Sequence, residues 1–413
     1  MKLLVLAVIA FNLPVTVYAK EGQDILRQVD GLTNGLNEDE LIEVKRFIDE
    51  KLEAARNRQG QTAVSTADNV FQKGELPAEK RLKLEFKTRV FFYNLEGSNL
   101  KFRNTRTFFG DIVEARLSYK LGDNAKIRAG VTGILPFSEF DLRWGDYYRD
   151  FQAGDHSNKR VDLVQPYLQL RYDYQNFGFI FGDLETPHDF HKLLVYDVYE
   201  FLRPTEKGLQ ILYENAYMYQ DLFINWREKN TPGNHERFNI GSISKLKWQN
   251  GSLAFQALYV HRGGHEFPQK PIVFENISAA LVFDHSIPVK KFFIDRIGIE
   301  LASLYTNDLP PGDDSTVRVD GFGALGSFYL TSGDWRLKSG YWRGTDDVLA
   351  EEGIPFSQKE RFVYSELTFN KRLKNDVNLQ FLITVGKFGR DLKEIFFDQK
   401  LVVSWRHDFG LGF

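Results

Sequence analysis

From Arg81 to the C-terminus the chain alternates apolar and polar residues with a period of two. In RLKLEFKTRVFF the even positions Leu82, Leu84, Phe86, Val90 and Phe92 make one apolar face, and Lys83, Glu85, Lys87 and Arg89 make the other. Period two marks a β-strand whose two faces meet different surroundings. The pattern returns in 113–120, 125–133, 164–172, 208–214, 222–226, 252–260, 297–305, 335–342, 377–385 and the last residues, 401–413. Less regular stretches near 177–183, 237–248, 276–284, 319–330 and 361–371 complete about sixteen strands, each close to the ~10 tilted residues that cross a bilayer.

The connections alternate as well. LGDN (121–124), DYQN (173–176), WQNG (248–251), TSGD (331–334) and LKND (373–376) are tight turns rich in Gly, Asn and Asp. Between them run the long stretches 136–161, 183–206, 227–236, 261–274, 306–317, 343–360 and 386–397. One rim of small turns and one of large loops is the asymmetry of an outer-membrane barrel, and an even strand number puts both ends on the short-turn rim. Apolar faces on so many strands cannot remain in water. Closure into a barrel pairs every edge hydrogen bond. The expected fold is all-β: a transmembrane antiparallel β-barrel over 81–413.

The residues before it read differently. MKLLVLAVIAFNLPVTVYA places Lys2 before an apolar run and ends on Ala19, which predicts a signal peptide over 1–19. The run is too short for a spanning helix and is broken by Asn12 and Pro14. Within the periplasmic segment 20–80, Leu41, Val44, Ile48, Leu52 and Ala55 recur at helical spacing behind the cap candidate Asn37. They predict a short amphipathic helix, either a coiled coil or a helix packed on its own protein, followed by a polar linker over 60–80.

Composition narrows the class. Aromatics make up 15% of the chain, with Phe 36 and Tyr 18, which suits strands. A formal net charge of −3 excludes the basic domain of a nucleic-acid binder. Cysteine is absent, so no disulfide staples the fold. Tyr119, Trp226, Trp248 and Trp335 fall near strand ends and suit interfacial girdles.

The closing VVSWRHDFGLGF ends on alternating Phe409, Leu411 and Phe413, with His407 a polar residue in the same register. A terminal aromatic strand behind a signal peptide resembles the end of bacterial outer-membrane porins, a resemblance of architecture that covers 81–413. It implies that Phe409, Leu411 and Phe413 are read by the barrel assembly machinery. It also implies surroundings of outer-membrane lipid and lipopolysaccharide, a homotrimer, and an external loop folded into the lumen. The segment 183–207 is the candidate for that loop, with Leu193, Leu194, Val195, Val198 and Phe201 to pack on the wall and Lys192, Tyr196, Tyr199 and Arg203 as constriction residues. The alternative is an aromatic-rich cap above the barrel.

Alternation places Lys83, Lys87, Arg89, Arg116, Lys126, Arg128, Arg171, Lys245, Lys247, Arg296, Arg336, Lys338 and Arg406 on the lumen face. Against them stand the acids Glu85, Glu114, Glu214, Glu300, Glu366 and Asp408, while 139–150, 308–314 and 344–353 read as acidic external loops. An excess of bases would concentrate anions in a water-filled pore. The expected function is a channel for passive diffusion of small hydrophilic solutes, favouring anions, without cofactor or metal. Bases paired with nearby acids in a weakly selective channel, and a barrel for envelope assembly or acidic polysaccharide export, are the alternatives. Enzymatic signals are weak: His188 and His191 stand three apart with no third metal ligand to name. A barrel lipase would set Ser and His on the outer face, where His261 and His407 lie without an evident Ser partner. The expectation is therefore that the chain is not an enzyme.

Overall fold

The computed structural model describes residues 82–97, 106–136, 164–228, 236–263, 273–291, 293–309, 317–374 and 376–411. The predicted signal peptide, the helix and linker of 20–80, the acidic stretch 139–150 and Phe413 lie outside the described residues. Sixteen strands run β1 (Leu82–Gly97), β2 (Arg106–Lys120), β3 (Ala125–Pro136), β4 (Val164–Tyr174), β5 (Phe177–Asp183) and β6 (Lys207–Glu214). They continue with β7 (Met218–Glu228), β8 (Glu236–Trp248), β9 (Gly251–Gly263), β10 (Phe274–Lys291) and β11 (Ile294–Leu309). The last are β12 (Val319–Ser332), β13 (Trp335–Gly344), β14 (Arg361–Arg372), β15 (Val377–Phe388) and β16 (Glu394–Leu411).

Each strand pairs antiparallel with its sequence neighbour, and β1 also pairs with β16, Leu82 opposite Leu411 and Phe91 opposite Val402, so the sheet closes. No edge remains to be satisfied in lipid. The alternation read from the sequence is the alternation of the wall. Leu168 is 62% exposed on the outer face, while its neighbours Tyr167 and Gln169 are 4% and 0% exposed inside. Tyr119, Trp248 and Trp335 stand exposed on the outer face at the short-turn rim and Trp226 at the loop rim, as interfacial girdles do.

Two differences from the sequence pattern matter. The stretch 386–397 is mostly strand: β15 and β16 extend into it and leave only 389–393 as a turn, with Gly389 and Leu392 at positive φ. The acidic stretch 344–353 is not a solvated surface loop. Val348 and Ala350 are buried, Glu352 is 3% exposed, and the segment passes through a short 3₁₀ turn at Pro355–Gln358 on the way back to β14.

The lumen holds the hydrophobic core. The segment between β5 and β6 inserts Leu193, Leu194 and Phe201, and the segment between β13 and β14 inserts Ile354 and Phe356, against inward rings of the wall. Phe201 stacks on Phe91 at 4.8 Å, and Phe356 on Phe396 at 3.7 Å. Inward glycines make room for such rings. A Cβ on Gly323 would sit 2.2 Å from the Trp342 ring, and one on Gly241 2.2 Å from Phe223.

Candidate functional site

The bases predicted to face the lumen do lie on inward positions, and most of them sit in ion pairs rather than against open water. Arg89 and Arg116 share Glu114 at 3.4 and 2.5 Å, and Arg116 also covers the Tyr167 ring at 3.7 Å. Arg128 reaches Glu185 at 2.7 Å and Glu85 at 3.3 Å, and Arg171 reaches Asp173 at 2.8 Å and Glu185 at 3.2 Å, beside Lys126. Lys338 meets Glu300 at 2.6 Å, Lys247 meets Glu214 at 2.9 Å, and Lys245 meets Asp189. Arg336 lies 4.0 Å from Asp284 and over the Tyr329 ring, and Arg296 donates to Asn250. Lys83 and Lys87 occupy inward positions of β1, and Arg406 pairs with Asp408.

Two of these acids, Glu185 and Asp189, arrive on the segment 184–206, which crosses the lumen and brings bases of its own. Lys192 is buried 2.9 Å from Glu366, with its ammonium over Tyr364, rather than standing at an opening. The Tyr196 hydroxyl donates to Asp398 at 2.7 Å and also contacts Tyr93. Arg203 lies over the Tyr199 ring and 3.0 Å from Glu352. Glu352 also takes Arg227 at 2.5 Å and Arg237 at 4.0 Å, so the two inserted segments are clasped together. Burial by itself would raise the Glu352 carboxyl; Arg203 and Arg227 outweigh it and hold the group well below the usual carboxylate range. Glu185 is held at about 2 against the same burial by Arg128 and Arg171.

His188 and His191 are taken by different carboxylates: His188 by Asp221 at 2.7 Å and Glu206 at 3.4 Å, His191 by Glu300 at 3.1 Å. Burial would lower the His188 pKa, but the two acids push it up to about 10, so the ring is charged inside the barrel. Asp221, Glu352, Asp398 and Lys400, which join this network, were not legible as lumen residues. Asp398 and Lys400 fell at the edge of an apparent loop, and Glu352 in an apparent surface run.

The outer face carries a second polar arrangement. Among the described residues His261, His285 and His407 take outward positions. His285 lies opposite Gly251 beside the β8–β9 turn and His407 opposite Phe86 near the start of β1, both toward the short-turn rim. His261, near the end of β9, stands at the loop rim. Its Nδ1 is 3.3 Å from the Tyr259 hydroxyl and 3.7 Å from Glu275 Oε1, and Tyr259 donates to the same carboxylate at 2.9 Å. The imidazole stacks on Phe238 at 4.8 Å, which in turn stacks on Trp226. This fixes the ring with Nδ1 toward the acid and leaves Nε2 without a partner among the described residues. Arg318 contacts Glu275 and donates to Asn307 at 2.9 Å, and Asn307 and Tyr305 donate to Asp320. A row of polar side chains thus runs across β9–β12 on the lipid face. His261 was legible as an outward histidine, but Glu275 and Arg318 were not legible as its company, because cross-strand register brings them there.

The orientation follows from the wall: both ends of the barrel lie at the short-turn rim, so the loop rim and His261 face the outside of the outer membrane. Phe409 faces lipid beside His407, the two rings 4.2 Å apart, and Leu411 is the last residue of β16.

The family model described as lipid A 3'-O-deacylase-type matches residues 71–390, more than three-quarters of the chain. The chain belongs to the lipid A 3'-O-deacylase-type family. The expectation that it is not an enzyme is corrected by this membership: the family is one of enzymes, and the outer face needs no Ser motif to carry a histidine and a carboxylate at the loop rim. No curated protein matches the chain. Among solved structures, a loop L8 deletion mutant of OmpT, an outer membrane protein of Vibrio cholerae, is 8% identical, with 79% of this chain and 100% of that chain covered and a TM-score of 0.49. OpdK of Pseudomonas aeruginosa is 11% identical, covering 79% and 99% at a TM-score of 0.45. OprD of the same organism is 8% identical, covering 80% and 95% at 0.44. All three are outer-membrane proteins.

Proposed function

We propose that the protein is an outer-leaflet ester hydrolase that removes the 3'-O-linked acyl chain of lipid A, with His261 as general base. The observation that supports this best is the position of His261. Of the outward histidines described, it is the one at the depth of the outer leaflet, where such a substrate lies, and its Nδ1 side is occupied by Tyr259 and Glu275. A Nδ1–H donated to the Tyr259 hydroxyl oxygen, which itself donates to Glu275, leaves Nε2 as the acceptor. Nε2 takes a proton from water as the water oxygen attacks the ester carbonyl. The tetrahedral intermediate then expels the sugar oxygen, which receives that proton from His261. The products are a fatty acid and a free 3'-hydroxyl. Glu275 stabilises the imidazolium between these steps, and the Arg318 guanidinium, still 38% exposed, supplies donors for the oxyanion or a nearby phosphate. The distance of 3.7 Å to Glu275 is long for a resting dyad and shortens on substrate binding in this account. Mass spectrometry of lipid A incubated with the purified, folded barrel tests the reading: loss of the 3'-linked acyl chain supports it, and intact lipid A under conditions where the barrel binds it rejects it.

A second reading, a channel opened by departure of the plug, is favoured by one observation. The segment 184–206 carries Glu185, Asp189, Asp197 and Glu200 to the bases of the wall. Its withdrawal would leave Arg128, Arg171, Lys245 and Lys400 facing water and so favour anions. Planar-bilayer recording distinguishes this: a silent barrel that conducts once 184–206 is deleted supports a plugged channel, and a barrel silent in both forms removes the reading.

A further inference from the structure

The loop rim holds a second group of charges on β13–β15, separate from His261. Arg343 is the last large outward side chain of β13 and stands directly opposite Arg361 of β14. One strand further, Lys387 lies outward on β15 opposite Val363. Like charges placed directly opposite one another on a sheet repel. Neither Arg343, Arg361 nor Lys387 has a carboxylate partner among the described residues, although most other bases of the barrel do. Arg390, in the turn after β15, adds a fourth cation, 3.5 Å from Glu360. A cavity of about 250 Å³ opens among Arg343, Arg361, Arg390, Thr345, Asp346 and Glu360. At roughly 30 Å³ per water it has room for about eight waters, or for a phosphate group with part of its hydration shell.

What lies beneath the cations identifies the occupant. Two residues further into the membrane on the same faces are Tyr341 below Arg343, Val363 below Arg361 and Val385 below Lys387, all exposed to lipid at 44%, 37% and 46%. A free anion has no use for that apolar wall. An amphiphile with a phosphate at headgroup depth and acyl chains below it meets both parts. Guanidinium pairs match phosphate oxygens in forked geometry, and the position is that of an outer-leaflet headgroup.

We infer that Arg343 and Arg361, flanked by Lys387 and Arg390, form a binding site for the phosphomonoester of an outer-leaflet glycolipid. In the membrane the lipid phosphate neutralises this like-charge pair. The inference concerns binding and does not depend on hydrolysis at His261, which lies on β9.

Titration of the full barrel in neutral detergent with bisphosphorylated lipid A, followed by native mass spectrometry, tests it. The His261→Gln variant serves as the protein, so that turnover does not consume the ligand. Adding Arg343→Ala and Arg361→Ala is expected to weaken binding by about tenfold or more, as loss of two charge-assisted contacts does. Dephosphorylated lipid A is expected to bind all forms as weakly as the arginine variant binds the phosphorylated lipid. Heat-modifiable migration on gels confirms that each variant is a folded barrel, and Arg343→Lys with Arg361→Lys, which keeps the charge, recovers part of the affinity. Unchanged affinity in the folded double alanine variant overturns the site. Full displacement by inorganic phosphate alone, with no contribution from the acyl chains, overturns the glycolipid as its occupant.

Discussion

Tyr196, in the segment between β5 and β6, donates its hydroxyl to Asp398 of β16 at 2.7 Å, five strands around the wall from β5. The bond joins two residues 202 apart in sequence and belongs to the set of polar ties that hold the plug to the wall. Replacing Tyr196 with Phe removes the donor and leaves Asp398 buried beside Tyr93. The expected loss is about 1–3 kcal/mol, read as a lower unfolding temperature of the barrel in detergent.

The plug should respond to alkali through His188. Its pKa in the folded barrel, about 10, is above the ordinary 6.5 because Asp221 and Glu206 outweigh burial. A raised folded pKa contributes stability that is complete below pH 6.5 and is lost as pH rises toward 10. Proteolytic cleavage within 184–206 is therefore expected to accelerate across that interval, and His188→Asn is expected to cleave readily throughout with little dependence on pH there.

Glu352 gathers Arg203, Arg227 and Arg237 between the two inserted segments. Glu352→Gln leaves those guanidiniums buried without their common counter-ion. Removing one partner of a buried pair costs about 3–5 kcal/mol. Hydrogen exchange of 184–206 and 345–360 should rise together in this variant, and a rise confined to one segment would contradict the clasp.

The aromatic packing inside β12 makes a paired prediction. A side chain at Gly323 meets the Trp342 ring, whereas one at the outward Gly326 meets only a Leu301 methyl at 3.8 Å. Gly323→Val is expected to reduce the yield of heat-modifiable, folded barrel sharply, and Gly326→Val to leave it near wild type.

The wall was legible in the sequence because its chemistry is local. A lipid face and an interior face alternate at every residue, and turns such as 173–176 and 331–334 carry the Gly, Asn and Asp that end strands. The interior was not, since its pattern depends on what fills it. Phe91, Tyr93 and Leu95 continue the inward face of β1 with apolar groups because Phe201 and Tyr196 pack there. Those partners lie about a hundred residues away. In the same way an acid count taken strand by strand misses Glu185, Glu200 and Glu352, which reach the lumen on connections. The outer site was half legible: His261 declared itself by register, while Glu275 and Arg318 belong to β10 and the approach to β12.

The most direct measurement is the rate of 3'-acyl release from lipid A by the folded wild-type barrel beside His261→Gln and Glu275→Gln, under single-turnover conditions with saturating barrel. Release by the wild type is expected, with a loss of about 10²–10⁴-fold in His261→Gln, as removal of a general base gives, and a smaller loss in Glu275→Gln. Release by a folded His261→Gln barrel at the wild-type rate would contradict His261 as the base.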